Sequence, residues 1–222
     1  MITLHHLNNS RSQRIIWLLE DLGLEYDIQY YQRDANTSLA PKALEQIHPL
    51  GKSPVITDGD QTLAESGVII EYLAGKSADQ ALMPATDQND HWPNKYWLHY
   101  AEGSLMPLLV MTLVFEKVRT TPMPFFIKPI ARAIADKAEA AYSGPNLKKH
   151  LNYIENHLQN HTWFCGEQRR AADYQMIFPL EAALSRGAAR SNYPNIARFV
   201  DQVQALESYQ TALQKGGPYD YA

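Results

Sequence analysis

Cysteine is nearly absent: the single Cys165 in 222 residues leaves no internal disulfide and no CxxC redox centre. The eight histidines never meet it at the spacing of a zinc site, so no metal is expected. Excess positive charge is missing too. With 20 basic against 24 acidic side chains, a net charge of -4 and a sequence pI near 6.0, the chain offers no field for nucleic acid or an anionic membrane surface. Long apolar runs are lacking as well, since the most apolar stretch, Leu105 to Phe115, is interrupted by Pro107 and Thr112. The start, Met1 to His6, has no basic segment followed by an apolar run. Neither export nor a membrane span is expected, and a reducing cytoplasm is the expected location. Repeats and low-complexity tracts are absent. What remains, 45% hydrophobic, 20% charged and 10% aromatic residues, is the composition of a soluble globular protein large enough for one big domain or two small ones.

Hydrophobic periodicity divides the chain in two. Ile2 to Leu7 reads as a strand, and Ser10-Arg11-Ser12 then precedes Ile15, Leu18, Leu19 and Leu22, an i, i+3, i+4, i+7 stripe ended by Gly23. Tyr26 to Gln32 resumes β character after that helix, which makes it a second strand parallel to the first. A short helical segment over Leu39 to Ile47 leads into the loop His48 to Pro54. Val55 to Thr57, Asp58-Gly59 and Thr62 to Ala64 give a hairpin signal, and a helix from Glu65 or Ser66 to Ala74 closes the unit. Linker composition follows, with a boundary near 78 to 88. Beyond it the β signals vanish and helical stripes take over, the clearest being Leu147, Leu151, Ile154 and Leu158. Pro122, Pro124 and Pro129 with Phe125 and Phe126 break that pattern and suggest a loop or rim.

Loops on a rigid scaffold are where binding groups collect, which singles out the Ser10 turn, the Lys52 to Pro54 loop and the Ala64-Glu65-Ser66 junction. In a βαβ unit the turn after the first strand brings a helix N-terminus, with its unpaired N–H groups, to the carboxyl edge of the sheet. Ser10 stands beside that edge. No His-Asp relay lies in its sequence context and the GxSxG turn of hydrolases is absent, so the chemistry that suits it is hydrogen bonding to a bound thiolate or carboxylate. Helix capping is the competing reading for Ser10 and for Glu65-Ser66, since hydroxyls and carboxylates at helix starts satisfy N–H groups whatever the function. Lys52 is, on the same terms, a solvated loop cation, and Ser53-Pro54 a turn.

The order and spacing of three segments go further. Asn9-Ser10-Arg11-Ser12-Gln13-Arg14-Ile15-Ile16-Trp17, Pro49-Leu50-Gly51-Lys52-Ser53-Pro54-Val55-Ile56 and Leu63-Ala64-Glu65-Ser66-Gly67-Val68-Ile69-Ile70 together resemble the cytosolic glutathione transferases over most of the chain. The resemblance implies an α/β thioredoxin-like N-terminal domain (βαβ-ββα), residues 1–78, followed by an all-α helical bundle, residues 88–212, which is also what the periodicity indicates. Residue by residue, Pro54 matches the family's cis-proline, with the Val55 backbone pairing the cysteinyl part of glutathione. Glu65 and Ser66 match the pair holding the γ-glutamyl ammonium and carboxylate, and Lys52 a position that meets the glycyl carboxylate. Ser10 matches the hydroxyl of the serine-type, theta-like and bacterial members, which donates to the glutathione sulfur. Ser12 competes for that role; Ser10 stands four residues before Arg14, the spacing the family's theta-like members show between their serine and the first-helix arginine, so the resemblance favours Ser10 and leaves Ser12 to the helix backbone.

The helical part carries the family's helix-start motif in Phe164-Cys165-Gly166-Glu167 and Ala171-Ala172-Asp173, with Asp173 as a structural cap. Arg170 stands where Ser or Thr is usual, which departs from a reciprocal capping box. Cys165 reads as buried and inert. An apolar electrophile pocket between the domains takes Met106, Met111, Phe115, Phe125 and Phe126 as candidate linings. The resulting expectation is a cytoplasmic, homodimeric detoxification enzyme that conjugates the glutathione thiolate to apolar electrophiles, glutathione being its co-substrate. Alternatives are a glutathione-dependent peroxidase or isomerase on the same site, or a non-catalytic glutathione-binding or regulatory protein.

Overall fold

The computed structural model describes residues 1–77 and 81–222. Residues 78–80, where the expected domain boundary begins, lie outside the described residues. Strand β1 (Ile2–Leu7) is central because nearly all of it is apolar or buried, and β2 (Tyr26–Tyr31) pairs with it in parallel, Leu4 opposite Ile28. The hairpin β3 (Val55–Asp58) and β4 (Gln61–Ala64) adds two antiparallel strands, giving the order β2-β1-β3-β4. Its turn needs Gly59, whose φ of 58° is costly for a residue with a side chain. Helix α1 (Gln13–Asp21) connects β1 to β2, and α2 (Ser66–Ala74) follows β4. Between β2 and β3 the expected helical segment is a short 3-10 turn, Lys42–Gln46.

The rest of the described chain is helical. Helix α3 (His91–Tyr100) runs through an i→i+5 turn, Ala101–Leu105, into α4 (Met106–Thr120). Pro107 falls in the first turn of α4, where its missing N–H costs nothing. By length and apolarity alone this continuous 30-residue helix meets the test for a membrane span, which a helix packed in a protein core meets as well. Its inner face, including Trp97, Leu105 and Leu109, belongs to the hydrophobic core. Helices α5 (Lys128–Ala138), α6 (Gly144–Leu158), α7 (Ala171–Ser185), α8 (Pro194–Gln204) and α9 (Glu207–Gly216) complete the bundle. The stripe read from the sequence does the packing in α6: Leu151, Ile154 and Leu158 are buried, with Leu147 packed against the core.

The two parts share one core, and α1 is the element that joins them. Its residues from Gln13 to Leu19 are all buried, against the sheet on one side and α7 and α9 on the other. Trp17 packs on Tyr174 at 4.1 Å and edge-on to Tyr209 at 5.6 Å, so aromatic contacts from α7 and α9 pin the helix that follows the Ser10 turn. The C-terminal tail returns to the same turn: Asn9 Nδ2 donates to Asp220 at 2.7 Å and the Asp220 N–H to Asn9 Oδ1 at 2.9 Å.

Asp173, in the first turn of α7, accepts from the Phe164 and Arg170 N–H groups at 2.8 and 2.7 Å. Half of a capping box survives in this way. A guanidinium has no acceptor, so the Asp173 N–H goes to the Arg170 carbonyl at 3.0 Å, while the Arg170 side chain pairs with Asp90.

Candidate active site

Three segments of the first domain and one of the second meet at a cleft of about 220 Å³. Lys52, Ser53 and Pro54 line it from the loop before β3, Glu65 and Ser66 from the start of α2. Arg11 and Glu102 form the opposite wall, and His48 and Leu50 the rim. The Ser53-Pro54 bond is cis. Ser53 ties the loop to β1, its hydroxyl donating to the His5 carbonyl at 2.9 Å and accepting the Leu7 N–H at 3.3 Å.

Glu65 holds φ at 69° and makes no side-chain cap on α2, and Ser12 makes none on α1. Among the described residues neither Glu65 nor Lys52 makes an ion pair with the chain, so both exposed charges face the cleft unspent. The Ser12 hydroxyl, assigned from sequence to the helix backbone, instead lies 2.8 Å from His6 Nδ1 and 2.8 Å from the Ser10 hydroxyl. Ser10 Oγ accepts the Ser12 N–H at 3.2 Å. Ser10 is only 5% exposed, one residue from the cleft-lining Arg11.

A charged network supports the far wall. Arg14 is fully buried and donates through Nη1 to the Gln175 carbonyl at 2.6 Å and through Nη2 to Ser66 Oγ at 2.8 Å and to Glu102. Arg11 Nε adds bonds to both Glu102 oxygens at 3.0 and 3.1 Å. Burial alone would raise the Glu102 carboxyl, but the two guanidinium groups outweigh it and hold the group below its ordinary value. Phe178 from α7 stacks its ring beneath both arginines, 5.6 and 5.7 Å from their guanidinium carbons. The i→i+5 turn carries Glu102, and such turns recur at functional sites.

Other expected residues fall elsewhere. Val55 is buried in the sheet, registered against His5 on one side and Ala64 on the other, and Ser53 rather than Val55 lines the cleft. Met106 is buried, and neither it nor Met111, Phe115, Phe125 or Phe126 is among the cleft-lining side chains. Phe125 and Phe126, 86% and 63% exposed, stand in the segment between α4 and α5. Cys165 is half-buried rather than buried, and burial pushes its thiol well above the ordinary value, which suppresses reactivity. Arg11, His48, Leu50 and Glu102 were not legible as cleft residues, because nothing local distinguishes them from surface positions.

The cleft is lined by an anionic group at the start of α2 and a cationic group on the loop before β3, and the buried Ser10–Ser12 hydroxyl pair flanks the lining Arg11 in sequence. Residues 1–75 match the family model described as glutathione S-transferase, N-terminal domain, and residues 110–207 that described as glutathione S-transferase, C-terminal domain. The chain is similar to glutathione S-transferase 1 of Saccharomyces cerevisiae, 36% identical over 97% of this chain and 95% of that protein. It is likewise 36% identical to glutathione S-transferase 3 of Schizosaccharomyces pombe, over 97% of this chain and 88% of that one. A solved glutathione S-transferase from Actinobacillus pleuropneumoniae superposes with a TM-score of 0.82 at 33% identity, covering 100% of this chain and 95% of the other.

Proposed function

The chain belongs to the glutathione S-transferase family, and from that premise we propose that it is a serine-type member binding glutathione across this cleft, with Ser10 donating to the thiolate. One observation carries the reading: Glu65, at a helix start that its side chain does not cap, and Lys52, on the loop before β3, line the cleft as opposite charges without an ion pair among the described residues. Glu65 takes the γ-glutamyl ammonium, Ser66 and the α2 N–H groups the neighbouring carboxylate, and Lys52 the glycyl carboxylate. The main chain at Ser53 and the cis Pro54 offers the extended edge for the cysteinyl part, because Val55 is already committed to the sheet.

The thiol then lies toward Ser10. A free thiol titrates near 8.5, so lowering it by about two units, worth roughly 2.7 kcal/mol, makes most of it thiolate at pH 7. A hydroxyl donating to a charged sulfur and the positive end of α1 act in that direction. The sulfur lone pair attacks an electrophilic carbon of an apolar substrate, forming a sulfur–carbon bond while that carbon's bond to its leaving group breaks and the leaving group departs to solvent with the bonding pair. Cytoplasmic detoxification is the role that suits this chemistry. A homodimer is supported by exposed apolar side chains on two helices joined by the Lys95–Glu71 pair, Val68 on α2 and Trp92 and Tyr96 on α3.

The test is the ultraviolet thiolate absorbance of bound glutathione titrated against pH, with sedimentation of the same samples reading the dimer. Ser10→Ala should raise the bound thiol's pKa while affinity changes little, and Glu65→Ala should weaken binding about tenfold or more, the loss of one charge-assisted contact. The reverse pattern overturns the assignment. Tight binding of a thiol with unshifted pKa points instead to a carrier or regulatory protein.

A further inference from the structure

The reading above uses the Ser10 hydroxyl and leaves the buried groups behind it idle; the present inference rests on that reading. Their polarity follows from the far end of the chain of hydrogen bonds. The Gly216 carbonyl can only accept, so His6 Nε2, 3.0 Å away, carries the hydrogen. Nδ1 of neutral His6 is then an acceptor, and the Ser12 hydroxyl at 2.8 Å donates to it in preference to the Leu7 carbonyl at 3.3 Å. Ser12 Oγ has only lone pairs left for Ser10, whose hydroxyl at 2.8 Å therefore donates inward. In this state the Ser10 hydroxyl has no hydrogen to give a sulfur and keeps one lone pair beyond that taken by the Ser12 N–H, which suits a thiol and not a thiolate.

We propose that His6 is the terminal acceptor of a proton relay, Ser10 to Ser12 to His6, that removes the glutathione thiol proton when glutathione binds. The S–H bond breaks and its proton passes to Ser10 Oγ. The proton that Ser10 held passes to Ser12 Oγ, and that of Ser12 to His6 Nδ1. Sulfur keeps the bonding pair as thiolate, His6 becomes imidazolium, and both serines end neutral with their hydrogens reversed. Ser10 now donates to sulfur, the polarity that thiolate stabilisation requires.

The surroundings fit both ends of this transfer. Burial lowers the His6 pKa, with the Gly216 carbonyl acting in the opposite sense, so the ring rests neutral at pH 7 and free to accept. Gly216 ends α9, and the negative end of that helix favours the imidazolium once formed. The approach of α9 needs a glycine there: an added Cβ would lie 2.2 Å from Gln13 Oε1, on a side chain tied by its own amide to the Ala212 carbonyl at 2.8 Å. The other groups near His6 do not compete for its proton. The Tyr30 ring of β2 stands edge-on at 5.9 Å, its hydroxyl donating to the Lys215 carbonyl; the Lys215 ammonium is turned to Glu20. His5 pairs with Tyr31, at 3.0 Å.

Two quantities read on one sample test this: thiolate absorbance of bound glutathione, and protons released on binding, from calorimetry in buffers of different ionisation enthalpy. In the wild type the thiolate formed should exceed the protons released, because the proton stays on His6. His6→Asn keeps an acceptor for Ser12 but no base, and Ser12→Ala breaks the relay with little change in volume. Both should raise the bound thiol's pKa by about one unit or more and make release equal to thiolate formed, with glutathione affinity within about threefold. The relay is overturned if both variants keep the wild-type pKa, or if the wild type releases one proton per thiolate. A thiol unshifted in the wild type, or still shifted in Ser10→Ala, overturns the Ser10 reading itself and the relay with it, and these outcomes are distinct from the first two.

Discussion

Glu102→Ala is expected to cost about 3 kcal/mol of stability, whereas Arg11→Ala should cost about 1 kcal/mol or less, although both remove one side of the same ion pair. The difference lies in what each leaves behind. Arg14 has no exposed side-chain surface, and without Glu102 its charge would keep the Ser66 hydroxyl, the Gln175 carbonyl and the Phe178 ring but no counter-ion, with Nε already lacking a partner. A buried charge stripped of its counter-ion typically costs about 3–5 kcal/mol; the lower end applies because Glu102 is itself 29% exposed and water can replace part of it. Arg11 is 33% exposed, and its loss leaves Glu102 still paired with Arg14. Glu102→Gln keeps an acceptor without the charge and should fall between, near 1–2 kcal/mol. Urea unfolding at one protein concentration reads these values; for a chain of this size about 3 kcal/mol corresponds to roughly 6–12 °C in Tm. The sign with pH is fixed too. Glu102 is held below its ordinary value, so its contribution is present above the unfolded pKa and fades as pH falls through the folded one. Equal losses for Glu102→Ala and Arg11→Ala would refute the reasoning, by showing that Arg14 does not depend on Glu102 for its charge.

Glu181 gives the opposite pH signature. Burial pushes its carboxyl up to about 7 against three donors, Tyr209, Gln204 and Tyr219. A carboxyl raised in the folded state stabilises fully below its unfolded value of 4.5 and loses that contribution as pH rises to about 7, so the wild type should weaken across this window relative to Glu181→Gln. A difference that stays flat from acid to neutral pH would sink the assignment. Phe125→Ser with Phe126→Ser should leave KM for glutathione and for an apolar aryl halide within about twofold, since neither ring lines the cleft. A selective rise of about tenfold in the electrophile KM would restore both to the pocket.

How much of this was legible depends on the distance over which each signal acts. The strands, the Asp58-Gly59 hairpin and the stripe of α6 are written in alternation, turn chemistry and 3.6-residue spacing, all local, and they appear where those patterns put them. The cis-proline loop and the Glu65-Ser66 junction were legible because their residue types are informative together. Glu102 was not: its relevance comes from Arg14, 88 positions away, and from an i→i+5 turn that no pattern in Ala101–Leu105 announces. Met106 looked like a pocket lining because apolar character does not say which way a side chain turns, and it is buried in the bundle.

Ser10 and Ser12 show the limit most sharply. Capping preference gives either hydroxyl a local role, and local reasoning stops there; the preference for Ser10 rests on the family resemblance. What separates them is His6, on the strand before the turn, whose ring is fixed by a carbonyl 210 residues later at the end of α9. A helix of the second domain thus determines the hydrogen-bond direction of a hydroxyl in the first. Changes that move the α9 end against β1, even with every cleft side chain intact, should therefore alter the thiol's pKa before they alter glutathione affinity.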